Sequence, residues 1–156
     1  MNTTDKQTIE IIGRNRLVEQ LLEAGVEVAF PVRDRGIDLI AYIDCGESVS
    51  SFNACPIQLK VASAASFSFD EKYAKFPNLL CVFIWGIDTN SKAETFALTH
   101  ADVISVGTLM GYALSPSWKE GRYASSNPGR ALKSALEPYR MTPQKWHQTV
   151  ARLQED

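Results

Sequence analysis

A chain of 156 residues, 45% apolar and 22% charged, has the length of one domain and the composition of a globular protein, which excludes fibrous and disordered classes. Its three cysteines, Cys45, Cys55 and Cys81, are odd in number and form no C-x-x-C pair, so a disulfide scaffold is excluded and a cytoplasmic location expected. The polar start, Met1 to Lys6, lacks a signal-peptide run, and the longest apolar run, Leu79 to Trp85, is too short for a bilayer, so no membrane role is expected.

The net charge of −2 is unevenly spread. Residues 1–71 carry six basic and eleven acidic side chains, whereas residues 111–152 carry seven basic and two acidic ones. A basic C-terminal third beside an acidic N-terminal part suits the guidance of a polyanion toward a carboxylate site, and equally suits a solvated helical face.

In chain order, residues 4–24 read as a helix. Thr4 or Asp5 can cap it, Ile9, Ile12, Leu17, Val18, Leu21 and Leu22 recur at helical spacing, and Gly25 sits at its C′ position. Val26 to Phe30 predicts a short strand stopped by Pro31, and Asp34-Arg35-Gly36 a turn. The runs Ile37 to Ile43 and Pro56 to Val61 are rich in β-branched residues and predict two strands, joined by the turn-rich segment Asp44 to Cys55. Period-2 alternation puts Ile37, Leu39, Ala41 and Ile43 on one face of the first, opposite Asp38, Ile40 and Tyr42. In the second it puts Ile57, Leu59 and Val61 opposite Gln58, Lys60 and Ala62.

A short helix is expected from Asp70 to Phe76, and Leu79 to Trp85 reads as a strand covered on both faces. Glu94 to Leu98 is a further strand, and Thr99-His100-Ala101-Asp102 has capping-box spacing for a helix running to about Tyr112. Residues 113–127 read as loop, and Asn127-Pro128 and Thr142-Pro143 as the starts of helices near 128–138 and 143–154. The order predicts a single α/β (α+β) domain with a core over about 4–112 and a helical extension over about 113–156. Its mixed sheet of about five strands contains an antiparallel meander flanked by helices.

Pairing of the two central strands would bring a carboxylate (Asp38), an amide (Gln58) and an ammonium (Lys60) to one end of the sheet. A helix with acidic residues, then a strand opening Gly-Ile-Asp, then a strand reading Gln-Leu-Lys, resembles the PD-(D/E)XK nuclease superfamily over roughly residues 8–86. The likeness points to its resolvase-like or type IV restriction-like branches. It implies a restriction endonuclease-like core, DNA as the partner and a metal-dependent endonuclease activity with Mg²⁺ or Mn²⁺. Asp38 matches the metal-binding aspartate and Lys60 the catalytic lysine. Gln58 stands where most members have an acid, although some branches use Gln-x-Lys. The resemblance makes Glu10, with Glu19 second, the candidate acid of the first helix, because the usual place holds Arg14 or Asn15. Asp38, the Gln58 side chain and the Leu59 carbonyl would be the metal ligands, and resolvase-like members act as homodimers.

Two other readings stay open at this stage. A descendant that has lost catalysis and binds nucleic acid or a protein through the same scaffold is consistent with Gln58 in place of an acid. A small partner protein without nucleic-acid contact is the third. His100 and His147 are isolated and read as surface or capping residues, the cysteines as buried filler, and Trp118, Tyr123 and Trp146 as packing aromatics or base-stacking groups.

Overall fold

A computed structural model describes residues 5–43, 54–87, 92–126 and 128–155. Helix α1 spans Lys6–Glu23, with Asp5 as its cap: the Asp5 carboxylate accepts the Thr8 amide proton at 3.0 Å. Gly25 follows it with φ 75°, a left-handed turn that glycine adopts without strain. Its buried stripe is Gly13, Leu17 and Leu21, with Ile9 and Val18 partly buried beside it. Ile12 and Leu22, which share the apolar helical spacing, point to solvent, because the four-residue step from Ile9 through Gly13, Leu17 and Leu21 defines a narrower stripe.

Strands β1 (Glu27–Ala29), β2 (Leu39–Tyr42) and β3 (Cys55–Ala62) form the expected antiparallel meander, with Leu39 opposite Ile57 and Ala41 opposite Cys55. Strand β4 (Ser66–Asp70) leads into a 3-10 turn over Glu71–Lys75, capped by Asp70, where a short helix was expected. Strand β5 (Leu80–Trp85) then returns parallel to β3, and β6 (Glu94–Thr99) pairs antiparallel with β5. The result is an α+β fold on a five-stranded mixed sheet of order β1-β2-β3-β5-β6. All six residues of β5 are buried, since both faces of the sheet are covered.

One face packs against α1 and against helix α5 (Pro143–Glu155), whose Trp146, Val150 and Leu153 join Leu17, Leu21, Leu39 and Ile57 in a single apolar cluster. A polar thread crosses it: the Gln20 amide donates to Thr95 Oγ1 at 3.1 Å and accepts from the Trp146 indole at 3.2 Å. The other face is covered by helix α2 (His100–Leu109), by α4 (Arg130–Leu136), and by a two-stranded ribbon in which β4 pairs with β7 (Arg122–Ser126). The Thr99–Asp102 capping box opens α2 as its spacing predicts, with both reciprocal bonds present. That helix ends at Leu109, short of Tyr112, which lies in a separate 3-10 turn.

Residues 113–127 are not simply loop. A one-turn helix α3 (Pro116–Lys119) precedes β7, whose residues alternate between exposed and half-buried against β4. Gly129, not Asn127, is the cap residue of α4, and Asn127 lies outside the described residues. Thr142 does cap α5, with its hydroxyl accepting the Lys145 amide at 3.3 Å. Thr4, Cys45 and most of the Asp44 to Cys55 connection also lie outside the described residues, while Cys55 itself opens β3. No described helix is long and apolar enough to cross a membrane.

Candidate functional site

The candidate site is built where β2 enters the sheet. The turn before it is closed by the Asp34 carboxylate, which accepts the Gly36 amide at 3.0 Å, and by Gly36 itself at φ 95°. The strand register starts only at Leu39, so the two residues ahead of it escape the regular alternation. Ile37 therefore packs with the aromatic cluster on the β4–β7 side and not beside Leu39 and Ala41, contrary to the simple period-2 reading. Asp38 is tied to β3 twice: its amide donates to the Ile57 carbonyl at 2.8 Å, and its carboxylate accepts the Leu59 amide proton at 2.6 Å.

Asp38, Gln58, Leu59, Lys60 and Glu10 all line one cavity of about 590 Å³ between α1 and strands β2 and β3. The residues singled out from sequence thus come together, across some fifty positions of chain. Gln58 is buried, 7% exposed, and its amide nitrogen lies 3.5 Å from the Leu59 carbonyl oxygen. Lys60 is exposed, and its charge reaches Asp38. Glu10 is exposed and pairs with Lys6 at 4.0 Å, whereas Glu19 does not line this cavity.

Burial raises the Asp38 carboxyl above its ordinary range. The Leu59 hydrogen bond opposes that shift, the neighbouring Asp34 charge adds to it, and Lys60 and Arg14 lower it from a distance. Among the described residues no lysine or arginine nitrogen lies within 4 Å of this carboxylate, so its charge is only partly compensated.

Two residues of the cavity escaped the sequence reading as site groups. Asp34 read as a plain turn residue, and its only signal was a carboxylate four positions before Asp38. Arg14 lies one helical turn after Glu10 and lines the same cavity, placing a guanidinium where an acid was sought. It also lies 5.8 Å from the Phe30 ring centre. Among the described residues no group of three or more histidine, cysteine, aspartate or glutamate side chains could hold a metal ion. What the cavity offers is one half-buried carboxylate (Asp38), two exposed ones at its rim (Asp34 and Glu10), a side-chain amide and a backbone carbonyl. That oxygen-only set suits a hard cation that keeps several waters and shares a substrate phosphate. Transition-metal sites built on imidazole or thiolate are a poor match to it.

The remaining candidates sort simply. Cys55 and Cys81 are buried thiols, their pKa pushed up to about 12 by burial, and so are filler and not nucleophiles. Trp146 is core, and Trp118 stacks on Phe69 with ring centres 4.0 Å apart. His147 is exposed, as expected of a surface residue, but His100 is neither at the surface nor the cap: it is 9% exposed, in the first turn of α2, which Thr99 caps.

No protein-family model matches this chain, and no curated protein matches it. Among solved structures, the bacterial homing endonuclease I-Ssp6803I superposes on it with a TM-score of 0.50, at 13% sequence identity, over 96% of this chain and 94% of the other. The likeness therefore spans both molecules nearly end to end, C-terminal helices included, and at that identity what it shows is a shared fold.

Proposed function

We propose that the protein is a metal-dependent DNA endonuclease of the PD-(D/E)XK type, with its site at Asp38, Gln58, Leu59 and Lys60. The observation that carries this reading is the common cavity holding Asp38, Gln58, Lys60 and Glu10, in a fold shared with a homing endonuclease. Asp38 would bind Mg²⁺ or Mn²⁺ together with the Leu59 carbonyl and the Gln58 amide oxygen. The amide nitrogen now faces that carbonyl, and a half-turn of the amide exchanges it for the oxygen.

A divalent cation bound there supplies Lewis-acid polarisation of the scissile phosphate and a water of lowered pKa. Lys60 orients the attacking water and offsets charge growing on the phosphoryl oxygens. Arg14 and Lys6 face the same cavity and meet the phosphodiester backbone, holding it in register as phosphate contacts do. Glu10 would accept a proton, or a hydrogen bond from a cation-bound water. With Gln58 neutral, the site carries one negative charge fewer than an acidic motif would, so cation binding leans on the substrate phosphate.

The test is cutting of supercoiled plasmid in Mg²⁺ or Mn²⁺, with EDTA as control. Cutting that disappears in Lys60→Ala upholds the assignment, and cutting that survives in Lys60→Ala removes it. The second reading, a nucleic-acid-binding module without catalysis, is favoured by the absence of a three-residue acidic or histidine cluster among the described residues. Salt-dependent DNA binding with no heat of metal binding in calorimetry would select it.

A further inference from the structure

Behind Gln58 and Lys60 the β4–β7 side of the sheet opens into a second cavity, of about 500 Å³, and these two residues form walls of both. Its rings are held in place from behind: Phe69 lies flat on Trp118 at 4.0 Å, and Tyr123 stacks on Tyr112 at 4.6 Å. The cavity falls within the range of about 300–1,000 Å³ typical of small-molecule sites lined by aromatic walls and a few polar groups.

One of those polar groups is His100. Its ring tilts against Phe69 at 5.5 Å, and it is only 9% exposed. Burial lowers its pKa, against the opposing pull of Glu71 and Asp70, so the imidazole is neutral and presents one donor and one acceptor to the cavity. Charge completes the pattern. Lys60, Lys72 and Arg122 line the space with a single carboxylate, Asp70, which reaches Lys72 at 3.5 Å and Arg122 at 3.7 Å. Three cations against one anion favour an anionic occupant. Cys81, also in the wall, remains a neutral thiol.

We propose that this cavity receives one unpaired nucleotide of the DNA, adjoining the phosphate held at Asp38 and Lys60. Its base packs among the aromatic rings with its edge toward His100, and its phosphate meets Lys72 and Arg122. The assignment rests on the nuclease reading of the neighbouring site, because the shared walls Gln58 and Lys60 make the two cavities successive stations on one strand. Extrusion of a base is least costly where it is already unpaired, so the substrate class is duplex DNA carrying a bulge, mismatch or single-stranded junction.

The experiment measures, by fluorescence anisotropy in EDTA, binding of a 20-base-pair duplex with one bulged nucleotide and of its fully paired counterpart. These lengths are a choice of probe, of about two helical turns. The wild type should bind the bulged duplex about tenfold more tightly, as expected of a stacked base. His100→Leu and Arg122→Gln should each reduce that ratio to below about twofold. Taking the ratio cancels any general loss of phosphate attraction. Arg122 is 79% exposed, so Arg122→Gln reads the pocket even should His100→Leu unfold. A wild-type ratio near one, or a ratio unchanged in both variants, overturns the pocket. Failure of the nuclease reading shows separately, as cutting that is absent or survives Lys60→Ala, and the metal-free ratio stays readable in that case. Binding of neither duplex at low salt overturns both.

Discussion

The Asp38 carboxylate accepts the Leu59 amide proton at 2.6 Å, so the acid of one strand is held by the backbone of the next. That bond fixes where the charge sits, and burial makes the charge costly. A carboxyl whose pKa is raised in the fold adds stability only while protonated, below its ordinary value of 3.8, and loses it as pH rises through the folded value. At pH 7 the native protein therefore carries a penalty that an asparagine would not. Asp38→Asn keeps an acceptor for Leu59, and we expect it to melt at a higher temperature than wild type at pH 7. The gap should close as pH falls toward about 4, while DNA cutting drops by at least about 10²-fold. Thermal unfolding across pH, beside a plasmid assay, checks both halves.

Gln58 is the residue by which this site departs from an acidic motif. Gln58→Glu would bury a second carboxylate close to Asp38, so the metal-free protein should melt at a lower temperature. Mg²⁺ should bind about tenfold more tightly and recover the lost stability. Calorimetric titration of both proteins measures this, and equal Mg²⁺ affinities would remove Gln58 from the ligand set.

Helix α1 reaches the cavity only because Gly13 lets it lie against β3. A Cβ at Gly13 would overlap both methyl groups of Val61. The helix propensity gained by Gly13→Ala, about 1 kcal/mol, is smaller than the strain of overpacking, about 1–3 kcal/mol. Urea unfolding should show a net loss of up to about 2 kcal/mol. Val61→Ala in the same chain should restore much of it, a coupling that a double-mutant cycle reads directly.

Far from the site, Arg140 joins the C-terminal part to the sheet edge. Its guanidinium donates to Glu94 at 2.8 Å and to Glu137 at 2.7 and 2.9 Å, and it stacks over Phe96 at 5.0 Å. Arg140→Ala should cost about 1–2 kcal/mol, since Lys133 still holds Glu94 at 3.1 Å. Arg140→Lys, with charge but no planar fork, should recover less than half. Unfolding in 1 M salt should narrow both differences.

Much of the candidate site was legible because it depends on local rules. Turn formers around Gly36 and two β-branched runs predicted adjacent antiparallel strands, and adjacency alone brings Asp38 near Gln58 and Lys60. The Thr99–Asp102 box and Thr142-Pro143 marked helix starts for the same reason, since capping bonds close within three residues. Ser66 to Asp70 and Arg122 to Ser126 were illegible as strands. Each is a short, half-polar segment that is extended only because it pairs with the other, more than fifty positions away.

Length, patterning and turn chemistry by themselves determined an α+β chain with a carboxylate, an amide and an ammonium on neighbouring strands. Tertiary packing decided the rest: that Arg14 and Asp34 share the cavity with Asp38, that Ile37 turns to the opposite face from Leu39, and that His100 is buried behind Lys60. The physical reason is one of range. Backbone hydrogen bonding and side-chain period act over a few residues, whereas burial, and with it the charge state of Asp38 and His100, is set by whatever distant segment comes to lie on top.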